Sequence, residues 1–362
     1  MGKKFIIAGG GTGGHIFPAI AIANALKQQL PDAEFLFVGA KGKMEMEKVP
    51  QAGFEIEGLT IAGYNRSSLI KNVGLPFKLI QSVWQVRKII KRFQPDAVIG
   101  VGGYSSYPVL RIAQARGIST FIHESNAFAG RANMMLGKKA TKVFVATAGM
   151  EKFFSIGKII ITGNPVRKAI TRMKATRAEA LNFFGLDAAK VTVLSVGGSL
   201  GANSINHAVE AGLDKLADNG LQLIWQTGKP FAEQGRKAAE RRPGVWVNEF
   251  IKEMEMAYAA ADIVISRAGA MSVAELCLAG KPVVFVPYPF AAEDHQTHNA
   301  KVLAEKNAAM LIKDADAKNM LIDTVIGLSK NKELENVLAE NISKEAIRNA
   351  AELIAKEIIT CM

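Results

Sequence analysis

The sequence predicts an α/β protein of two doubly wound domains that face each other across a cleft. Short buried-strand patterns alternate with helical patterns along the chain, and the succession of strand, glycine turn and helix occurs twice, about 190 residues apart. The length of 362 residues agrees with two domains, because a single hydrophobic core usually stops growing near about 250–300 residues.

Each domain begins with the same local pattern. The first has a strand at Lys3–Ala8, the glycine turn Gly9–Gly14 and a helical pattern over 18–30. The second has a strand at Val191–Val196, the turn Gly197–Ala202 and a helix to about residue 216. Further buried strands are predicted at Glu34–Val38, Ala97–Val101, Thr120–His123, Val143–Ala146, Leu221–Gln226, Ile263–Ser266 and Val283–Val286.

The domain boundary is predicted at the segment Asn164-Pro165-Val166-Arg167, which lies between a strand and a helix. The first domain then covers residues 1–163 and the second covers 164–342. The last helical pattern, within 343–362, is compatible with either domain, and we expect it to pack back on the first.

Composition narrows the class of protein. Hydrophobic residues make up 49% and charged residues 22%, as in a folded globular protein. No apolar run reaches the roughly 18 residues that cross a bilayer, and the N-terminus has the pattern of a strand and not of a signal peptide. Cys277 and Cys361 cannot make a disulfide framework, which indicates a reducing, cytoplasmic compartment.

The positive charge is confined to the first half of the chain. Residues 1–163 hold 21 Lys and Arg against 9 Asp and Glu, whereas residues 164–362 hold 24 of each. Such asymmetry indicates an anionic partner, which could be nucleic acid, a membrane surface or a phosphorylated substrate. A charge that only promotes solubility is the alternative, and composition does not choose among these.

The glycine turns predict a phosphate-binding site. Backbone N–H groups at the start of a helix are free to bind phosphate, and the helix dipole favours an anion there. Neither turn is followed by the Lys and Ser or Thr of an ATPase loop, and no acidic residue ends the second strand as in a dinucleotide enzyme. For either turn, tight packing of helix on strand is the alternative interpretation.

Three polar or glycine-rich segments of the first domain follow predicted strands. His15 comes directly after the first turn and is a candidate general base, because an unperturbed imidazole titrates near pKa 6.5; a histidine bonded to a backbone carbonyl is the alternative. His123-Glu124-Ser125-Asn126 ends a strand at the sheet edge where α/β proteins bind ligands, although it could serve only as a polar cap. The glycine turn over 100–106 belongs to the same edge.

The second domain offers a candidate sugar-nucleotide site. Glu275 follows a loop of small residues, and a carboxylate there can accept both hydroxyls of a ribose; a first-turn Glu favoured by the helix dipole is the alternative. His295 and His298 suggest a metal, but a third ligand is lacking. A sugar-hydroxyl site that uses Gln296 as donor and acceptor is therefore favoured.

The segment 69–93 mixes apolar and basic residues at helical spacing. A core helix with a solvated basic face is one interpretation. The other is a membrane-surface patch, in which apolar side chains enter the headgroup region while cations pair with anionic lipid. Aromatic residues suited to stacking on bases are sparse, which argues against a nucleic-acid partner.

Taken in order, these motifs resemble the bacterial peptidoglycan N-acetylglucosaminyltransferases of glycosyltransferase family 28, which transfer GlcNAc from UDP-GlcNAc to undecaprenyl-diphospho-MurNAc-pentapeptide (lipid I) and so form lipid II. The resemblance runs from Lys3 to Asn299 and rests on Gly10–His15, Gly102-Gly103-Tyr104, His123–Asn126, Asn164–Arg167, Gly197–Ala202 and Ser266–Ala270. It implies two Rossmann-like domains in the GT-B arrangement with the active site in the cleft.

The resemblance also implies partners and a location. The partners are UDP-GlcNAc, lipid I and the anionic inner-membrane surface, with no nucleic acid and no metal or other cofactor. The protein is expected to be peripheral, on the cytoplasmic side of the inner membrane. A UDP-GlcNAc 2-epimerase and a basic nucleic-acid-binding protein are the rival hypotheses.

By the same resemblance, His15 acts as general base on the muramyl C4 hydroxyl in an inverting displacement, with Glu124 or His123 assisting. The resemblance also implies the substrate contacts. Ser199 and Arg167 contact the diphosphate, backbone groups of Ile251 contact the uracil, and Glu275 contacts the ribose. The implied contacts to the GlcNAc are Ala270, Met271, Ser272, Val273, Ala274, Gln296 and Asn126, and Thr12, Gly13 and Gly14 close over the sugar. One member of the family that the chain resembles has Gln where this chain has Ser125 and His295.

Overall fold

The computed structural model describes residues 2–63, 74–198 and 200–362. The chain divides into two compact units, one formed by Met1–Arg167 with Asn349–Met362 and the other by Lys168–Arg348. Each unit is built on its own sheet. Within the part of the chain described, no helix combines the length and the apolar character needed to cross a membrane.

The first unit contains a seven-stranded parallel sheet in the order β3-β2-β1-β4-β5-β6-β7. Its strands are β1 Lys4–Ala8, β2 Glu34–Ala40, β3 Glu55–Leu59, β4 Ala97–Gly100, β5 Ser119–Glu124, β6 Lys142–Val145 and β7 Ile159–Ile161. The order changes direction between β1 and β4, which makes this the switch point of the sheet. Open α/β sheets bind ligands at the carboxyl ends of the strands at this point.

The second unit repeats the plan with six parallel strands in the order β10-β9-β8-β11-β12-β13. Its strands are β8 Val191–Val196, β9 Leu221–Gln226, β10 Val245–Asn248, β11 Ile263–Ser266, β12 Val283–Phe285 and β13 Met310–Leu311. The switch point lies between β8 and β11. The predicted pair of doubly wound domains is therefore confirmed.

The connections between strands are helical, as parallel sheets require. The helices of the first unit are α1 Gly13–Gln29, α2 Glu45–Gln51, α3 Leu75–Phe93, α4 Ser106–Ala115, α5 Arg131–Gly137 and, at the chain end, α16 Ala350–Thr360. Those of the second unit are α6 Lys168–Thr171, α7 Arg177–Phe184, α8 Asn203–Ala211, α9 Leu213–Asp218, α10 Ala232–Ala239, α11 Met254–Ala260, α12 Ala270–Ala279, α13 His295–Ala304, α14 Ala317–Ser329 and α15 Lys332–Lys344.

The first sheet is buried on both faces because alternate side chains of a strand point to opposite sides. Ile6 of β1 belongs to the hydrophobic cluster that includes α3 and α4 residues. Phe5 and Ile7 belong to the opposite cluster, which includes α1 together with Ile354 and Ile358 of α16. Helix α16 thus packs on the first unit, which contains the N-terminal part of the chain.

Two helices differ from the expected pattern. The first begins at Gly13 and not near residue 18, so that Pro18 lies inside it and His15 is in its first turn. The helix expected to reach residue 216 is divided at Gly212 into α8 and α9. A Cβ atom at Gly212 would lie 2.4 Å from Cγ1 of Ile322, which explains why a small residue interrupts the helix where α14 crosses it.

The chain passes from the first unit to the second after Arg167 and returns after Arg348, whereas the predicted limits were 163/164 and 342/343. Residues 162–164 stay with the first unit because it holds them by hydrogen bonds. Thr162 N–H donates to the Val145 carbonyl at 3.0 Å, and Asn164 Nδ2 donates to the Ser125 carbonyl at 3.0 Å.

Candidate functional site

The switch point of the first sheet brings together two glycine turns that are far apart in sequence. The turn after β1 contains Gly10, and the turn after β4 contains Gly102 and Gly103. A Cβ atom at Gly103 would lie 2.4 Å from the Gly10 carbonyl oxygen, and Gly103 has a φ of +82°. Only glycine allows the two backbones to approach this closely.

His15 stands at this rim as the third residue of α1. Its backbone N–H donates to the carbonyl of Thr12, the N-cap residue, at 3.1 Å. Its imidazole lies against Gly102, where a Cβ atom would come within 2.8 Å of the ring Cε1 atom. The Nδ1 atom is buried. The structure therefore places a half-buried imidazole at the ligand-binding edge.

Glu124 ends β5 at the same edge, but its carboxylate serves its own loop. Oε1 accepts hydrogen bonds from the backbone and side-chain amides of Asn126 at 3.1 and 3.3 Å, and Oε2 accepts from Gly130 N–H at 3.0 Å and Asn133 Nδ2 at 2.8 Å. Four donors fix the carboxylate, so this geometry favours a role in holding Asn126. Proton transfer by Glu124 stays a prediction.

His123 is fully buried. One ring nitrogen, Nε2, lies 3.3 Å from the Gly163 carbonyl, and Nδ1 lies 3.4 Å from the Ser125 hydroxyl. The pKa of His123 is lowered to about 4, chiefly by burial; the hydrogen bond to Gly163 acts in the opposite direction, and the nearby His15 adds to the lowering. His123 is thus neutral at physiological pH and supports the loop that carries Asn126.

In the second unit, the glycine turn after β8 packs on the end of β9. A Cβ atom at Gly201, which has a φ of +77°, would lie 2.0 Å from the Thr227 carbonyl oxygen. Ser199, the predicted diphosphate ligand, lies outside the described residues. Its neighbour Gly198 accepts a hydrogen bond from Gln226 Nε2 at 2.9 Å.

Gln226 is a site residue that the motif analysis missed. While its Nε2 atom holds the turn after β8, its Oε1 atom accepts the backbone N–H of Ile251 at 2.9 Å. The N–H of Ile251 is therefore occupied, and its carbonyl is the backbone group that remains for a uracil. The available signal was a polar residue at the C-terminal end of a buried strand, as it was for His123.

Helix α12 starts directly after β11 and carries most of the predicted sugar contacts. Ala270, Met271, Ser272, Val273 and Ala274 form its first residues, directly after the N-cap residue Gly269. Backbone N–H groups in the first turn of a helix lack intrahelical acceptors. This N-terminus is therefore suited to an anionic or hydroxyl-rich ligand.

Glu275 is the sixth residue of α12 and is buried. The first turn holds no acidic residue, so the interpretation of Glu275 as a first-turn Glu is wrong. Tyr258 donates its hydroxyl to Glu275 Oε2 at 3.2 Å. A buried carboxylate held by a phenol from α11 has a fixed direction, as recognition of a diol requires.

The polar residues at the start of α13 have their own hydrogen bonds. Gln296 Oε1 accepts the N–H of Tyr288 at 3.0 Å, which leaves Nε2 as its donor. His295 Nδ1 lies 2.7 Å from the Ala292 carbonyl. Among the described residues, no three His, Cys, Asp or Glu side chains are grouped in a way that could hold a metal ion.

Arg167 is exposed and is the last residue before the chain enters the second unit. Thr12 is exposed at the N-cap of α1, and Gly13 and Gly14 are the first two residues of that helix. The predicted site residues that the structure describes therefore fall into two sets, one in each unit.

Two family models match the chain. The model described as the glycosyltransferase family 28 N-terminal domain matches residues 5–145, and the family 28 C-terminal domain matches residues 192–358. Together they cover most of both units.

Individual relatives agree with these models. A Phocaeicola vulgatus protein named UDP-N-acetylglucosamine--N-acetylmuramyl-(pentapeptide) pyrophosphoryl-undecaprenol N-acetylglucosamine transferase is 53% identical over 98% of this chain and 95% of its own. A crystal structure of Acinetobacter baumannii MurG is 30% identical, with a TM-score of 0.81 over 99% of both chains. The Neisseria meningitidis UDP-GlcNAc 2-epimerase, at 14% identity and a TM-score of 0.67 over 99% of this chain and 100% of that one, shares the fold alone.

Proposed function

The chain belongs to glycosyltransferase family 28, and from that premise we propose that it transfers GlcNAc from UDP-GlcNAc to the C4 hydroxyl of MurNAc in undecaprenyl-diphospho-MurNAc-pentapeptide, forming lipid II for peptidoglycan synthesis. The observation that carries this proposal is the half-buried imidazole of His15 at a switch point, in a chain whose full length matches transferases of that name. The enzyme is a UDP-GlcNAc-dependent hexosyltransferase.

The second unit holds the donor. The N-terminus of α12 and the glycine turn after β8, with Ser199, bind the diphosphate and the sugar through N–H donors. Glu275 accepts the ribose hydroxyls, the carbonyl of Ile251 accepts the uracil N–H, and Gln296 donates to the GlcNAc. Tyr258 supports this set because it fixes Glu275.

The first unit supplies the base. The oxygen of the muramyl C4 hydroxyl forms a bond to C1 of GlcNAc on the face opposite the leaving group, while the bond from C1 to the phosphate oxygen breaks and UDP leaves with the electron pair. The hydroxyl proton goes to His15, and Nε2 is the acceptor because Nδ1 is buried. General base catalysis of this kind typically contributes about 10²–10⁴-fold.

The charge that develops on UDP needs stabilisation as the bond breaks. The N–H groups at the start of α12 and the guanidinium of Arg167 supply it, since preorganised donors stabilise a developing anion without reorganisation. Asn126, Thr12, Gly13 and Gly14 contact the sugar from the first unit. His123 and Glu124 act as supports of the loop that holds Asn126.

Helix α3 provides the membrane contact. Phe77, Ile80 and Trp84 are 76%, 59% and 69% exposed, and their spacing places them on one stripe of the helix. Val86 and Ile89 are buried in the core on the opposite side. A core helix with a merely basic outer face would not expose two aromatic side chains, so this pattern favours the membrane-surface interpretation. The part of the segment before Gly74 lies outside the described residues.

Exposed cations on the same helix complete the membrane surface. They are Lys78, Arg87, Lys88, Lys91 and Arg92, and each cation near an anionic leaflet contributes about 1 kcal/mol. We place the enzyme on the cytoplasmic face of the inner membrane, where its lipid-linked acceptor is embedded, and we expect no nucleic-acid partner.

One assay tests the function. The protein is incubated with radiolabelled UDP-GlcNAc, with and without a lipid I analogue, and both the lipid and the sugar-nucleotide fractions are resolved. We expect label in the lipid fraction, dependent on lipid I. Conversion of UDP-GlcNAc to UDP-ManNAc in either sample, with no label in the lipid, would overturn the proposal in favour of the epimerase.

A further inference from the structure

A buried carboxylate behind the first glycine turn has no catalytic or substrate-binding role in the proposed reaction. Glu45 is the first residue of α2, and its side chain is completely inaccessible to solvent. No Lys, Arg or His within the described ranges forms an ion pair with it. Burying a charged side chain without a counter-ion is costly, so other contacts of the Glu45 carboxylate must offset that cost.

The partners of Glu45 are two backbone N–H groups. Oε2 accepts the N–H of Gly11 at 3.0 Å, and Oε1 accepts the N–H of Ala40 at 3.0 Å. Gly11 belongs to the turn between β1 and α1, whereas Ala40 is the last residue of β2. The carboxylate therefore ties the first glycine turn to the neighbouring strand.

Two glycines make room for this carboxylate. A Cβ atom at Gly10 would lie 2.2 Å from Glu45 Oε1, and a Cβ atom at Gly39 would lie 2.5 Å from Glu45 Cγ. Part of the glycine pattern that the sequence presents as a phosphate loop is thus explained by an acidic side chain from within the protein. Since the N–H of Gly11 is occupied, it is not available to a phosphate.

The negative charge of Glu45 also affects the pKa of Tyr104. Burial raises the pKa of Tyr104, and Glu45 raises it further. The Tyr104 ring lies over the same turn, because a Cβ atom at Gly11 would be 3.7 Å from its Cε1 atom. Glu45 therefore bonds to the first glycine turn and acts electrostatically on Tyr104, which directly follows Gly103 of the second.

We propose that Glu45 is a positioning residue for the transfer reaction, which fixes the turn Gly9–Thr12 and through it the first turn of α1 with His15. This inference rests on the proposed function. His15 is only four residues beyond Gly11, and its backbone N–H bonds to Thr12. A shift of the turn therefore moves the imidazole. Misplacement of a reacting group by about 1 Å can reduce a rate about 10²-fold.

The test compares Glu45→Gln with Glu47→Gln. The first substitution keeps the size of the side chain, but the NH₂ group of the new amide faces a backbone N–H, so that only one of the two hydrogen bonds can form. Glu47 lies on the same helix with an exposed side chain that pairs with Lys48, and its substitution is the matched control. Glu45→Asp, which keeps the charge but is too short to reach both N–H groups, is a second variant.

For Glu45→Gln we expect kcat to fall about 10- to 100-fold, with KM values for UDP-GlcNAc and lipid I within about twofold of wild type. The rate is expressed per folded molecule, after the melting temperature of each variant has been measured. Glu47→Gln is expected to behave as wild type. A loss of rate that disappears once unfolded protein is discounted would show that Glu45 acts on stability alone, and it would overturn the inference.

A second measurement does not depend on the reaction. The imidazole resonances of His15 are assigned by their disappearance in His15→Ala, and they are then compared in Glu45→Gln and Glu47→Gln. We expect them to shift in the first variant only. Unshifted His15 resonances in Glu45→Gln would overturn the inference, whereas an inactive wild-type enzyme would overturn the proposed function and leave this comparison valid.

Discussion

The imidazole of His15 lies against the α-carbon of Gly102, so closely that a methyl group at Gly102 would come within 2.8 Å of the ring Cε1 atom and 2.9 Å of Nδ1. His15 lies in the first turn of α1, whereas Gly102 lies in the glycine turn after β4. The orientation of the proposed base is therefore set in part by a residue that has no side chain.

Gly102→Ala is expected to lower kcat at least about tenfold while the KM for UDP-GlcNAc changes by less than about twofold, because the new methyl group displaces His15. Gly117→Ala is the matched control. Gly117 also has a positive φ, of +72°, but nothing lies within 4 Å of the added carbon. The test compares kcat and KM of the two variants by steady-state kinetics. Equal rate losses would show that backbone strain, and not the contact with His15, is responsible.

His15→Ala is expected to reduce kcat by about 10²–10⁴-fold, with the dissociation constant of UDP-GlcNAc nearly unchanged. A base acts on the acceptor hydroxyl in the transition state and contributes little to donor binding. The measurement combines single-turnover kinetics with calorimetric titration of the donor. If rate and donor affinity fall in parallel, His15 is a binding residue.

Glu275→Gln is expected to weaken UDP binding about tenfold or more, because hydrogen bonds to a charged acceptor contribute about 1.5–3 kcal/mol. Tyr258→Phe, which keeps the carboxylate but removes its hydroxyl partner, should have a smaller effect. The decisive comparison uses UDP and its 2′,3′-dideoxy analogue, titrated into each protein. We expect the wild type to prefer UDP and Glu275→Gln to lose that preference. If the preference survives, another group binds the ribose.

Stability is expected to fall on acidification because of His123. Its pKa is about 4 in the folded protein and near 6.5 in an unfolded chain, so the unfolded state binds the proton first. Stability is therefore complete above about pH 6.5 and is lost as the pH falls towards 4. From about pH 7.5 to about pH 5 the loss corresponds to about 2 kcal/mol.

Urea denaturation of wild type and His123→Gln at these two pH values measures the loss. The variant should show a difference that is smaller by this amount, whatever its stability at pH 7.5. His207→Gln, which changes an exposed histidine, serves as the control. An equal pH dependence in wild type and His123→Gln would contradict the expectation.

Replacing Phe77 and Trp84 by Ser is expected to weaken binding to vesicles with anionic phospholipid at least about tenfold, because burial of each aromatic side chain contributes about 1.5–3 kcal/mol. Phe183→Ser removes a half-exposed aromatic residue of the second unit and should leave binding unchanged. Co-sedimentation with vesicles measures the effect. Retained binding by the double variant would exclude this face of α3 as the membrane contact.

The sequence predicted the central strands of both sheets because those strands are buried on both faces and so form continuous apolar runs. The bounds of β8, β9 and β11 agree with the expected ranges residue for residue. The four strands that were not predicted are β3, β7, β10 and β13, which are the edges of the two sheets. These edge strands are only partly buried: β3 includes polar residues, whereas β7, Ile159–Ile161, is apolar but only three residues long.

The sequence predicted residues of the candidate site only where those residues form a motif. The glycine turns and the polar ends of strands indicated His15, Glu124 and Glu275. Glu45 stands among lysines without any pattern, and its role depends on which backbone N–H groups the fold brings to it. Such tertiary hydrogen bonds have no counterpart in local spacing.

Helix α16, which packs against α1, has a consequence for how the chain folds during synthesis. The segment that supplies Ile354 and Ile358 is synthesised only after the whole of Lys168–Arg348, so the first unit is built from two parts of the chain that the second unit separates. The unit that carries the imidazole of His15 therefore completes its core only once α16 has been synthesised and can pack on α1.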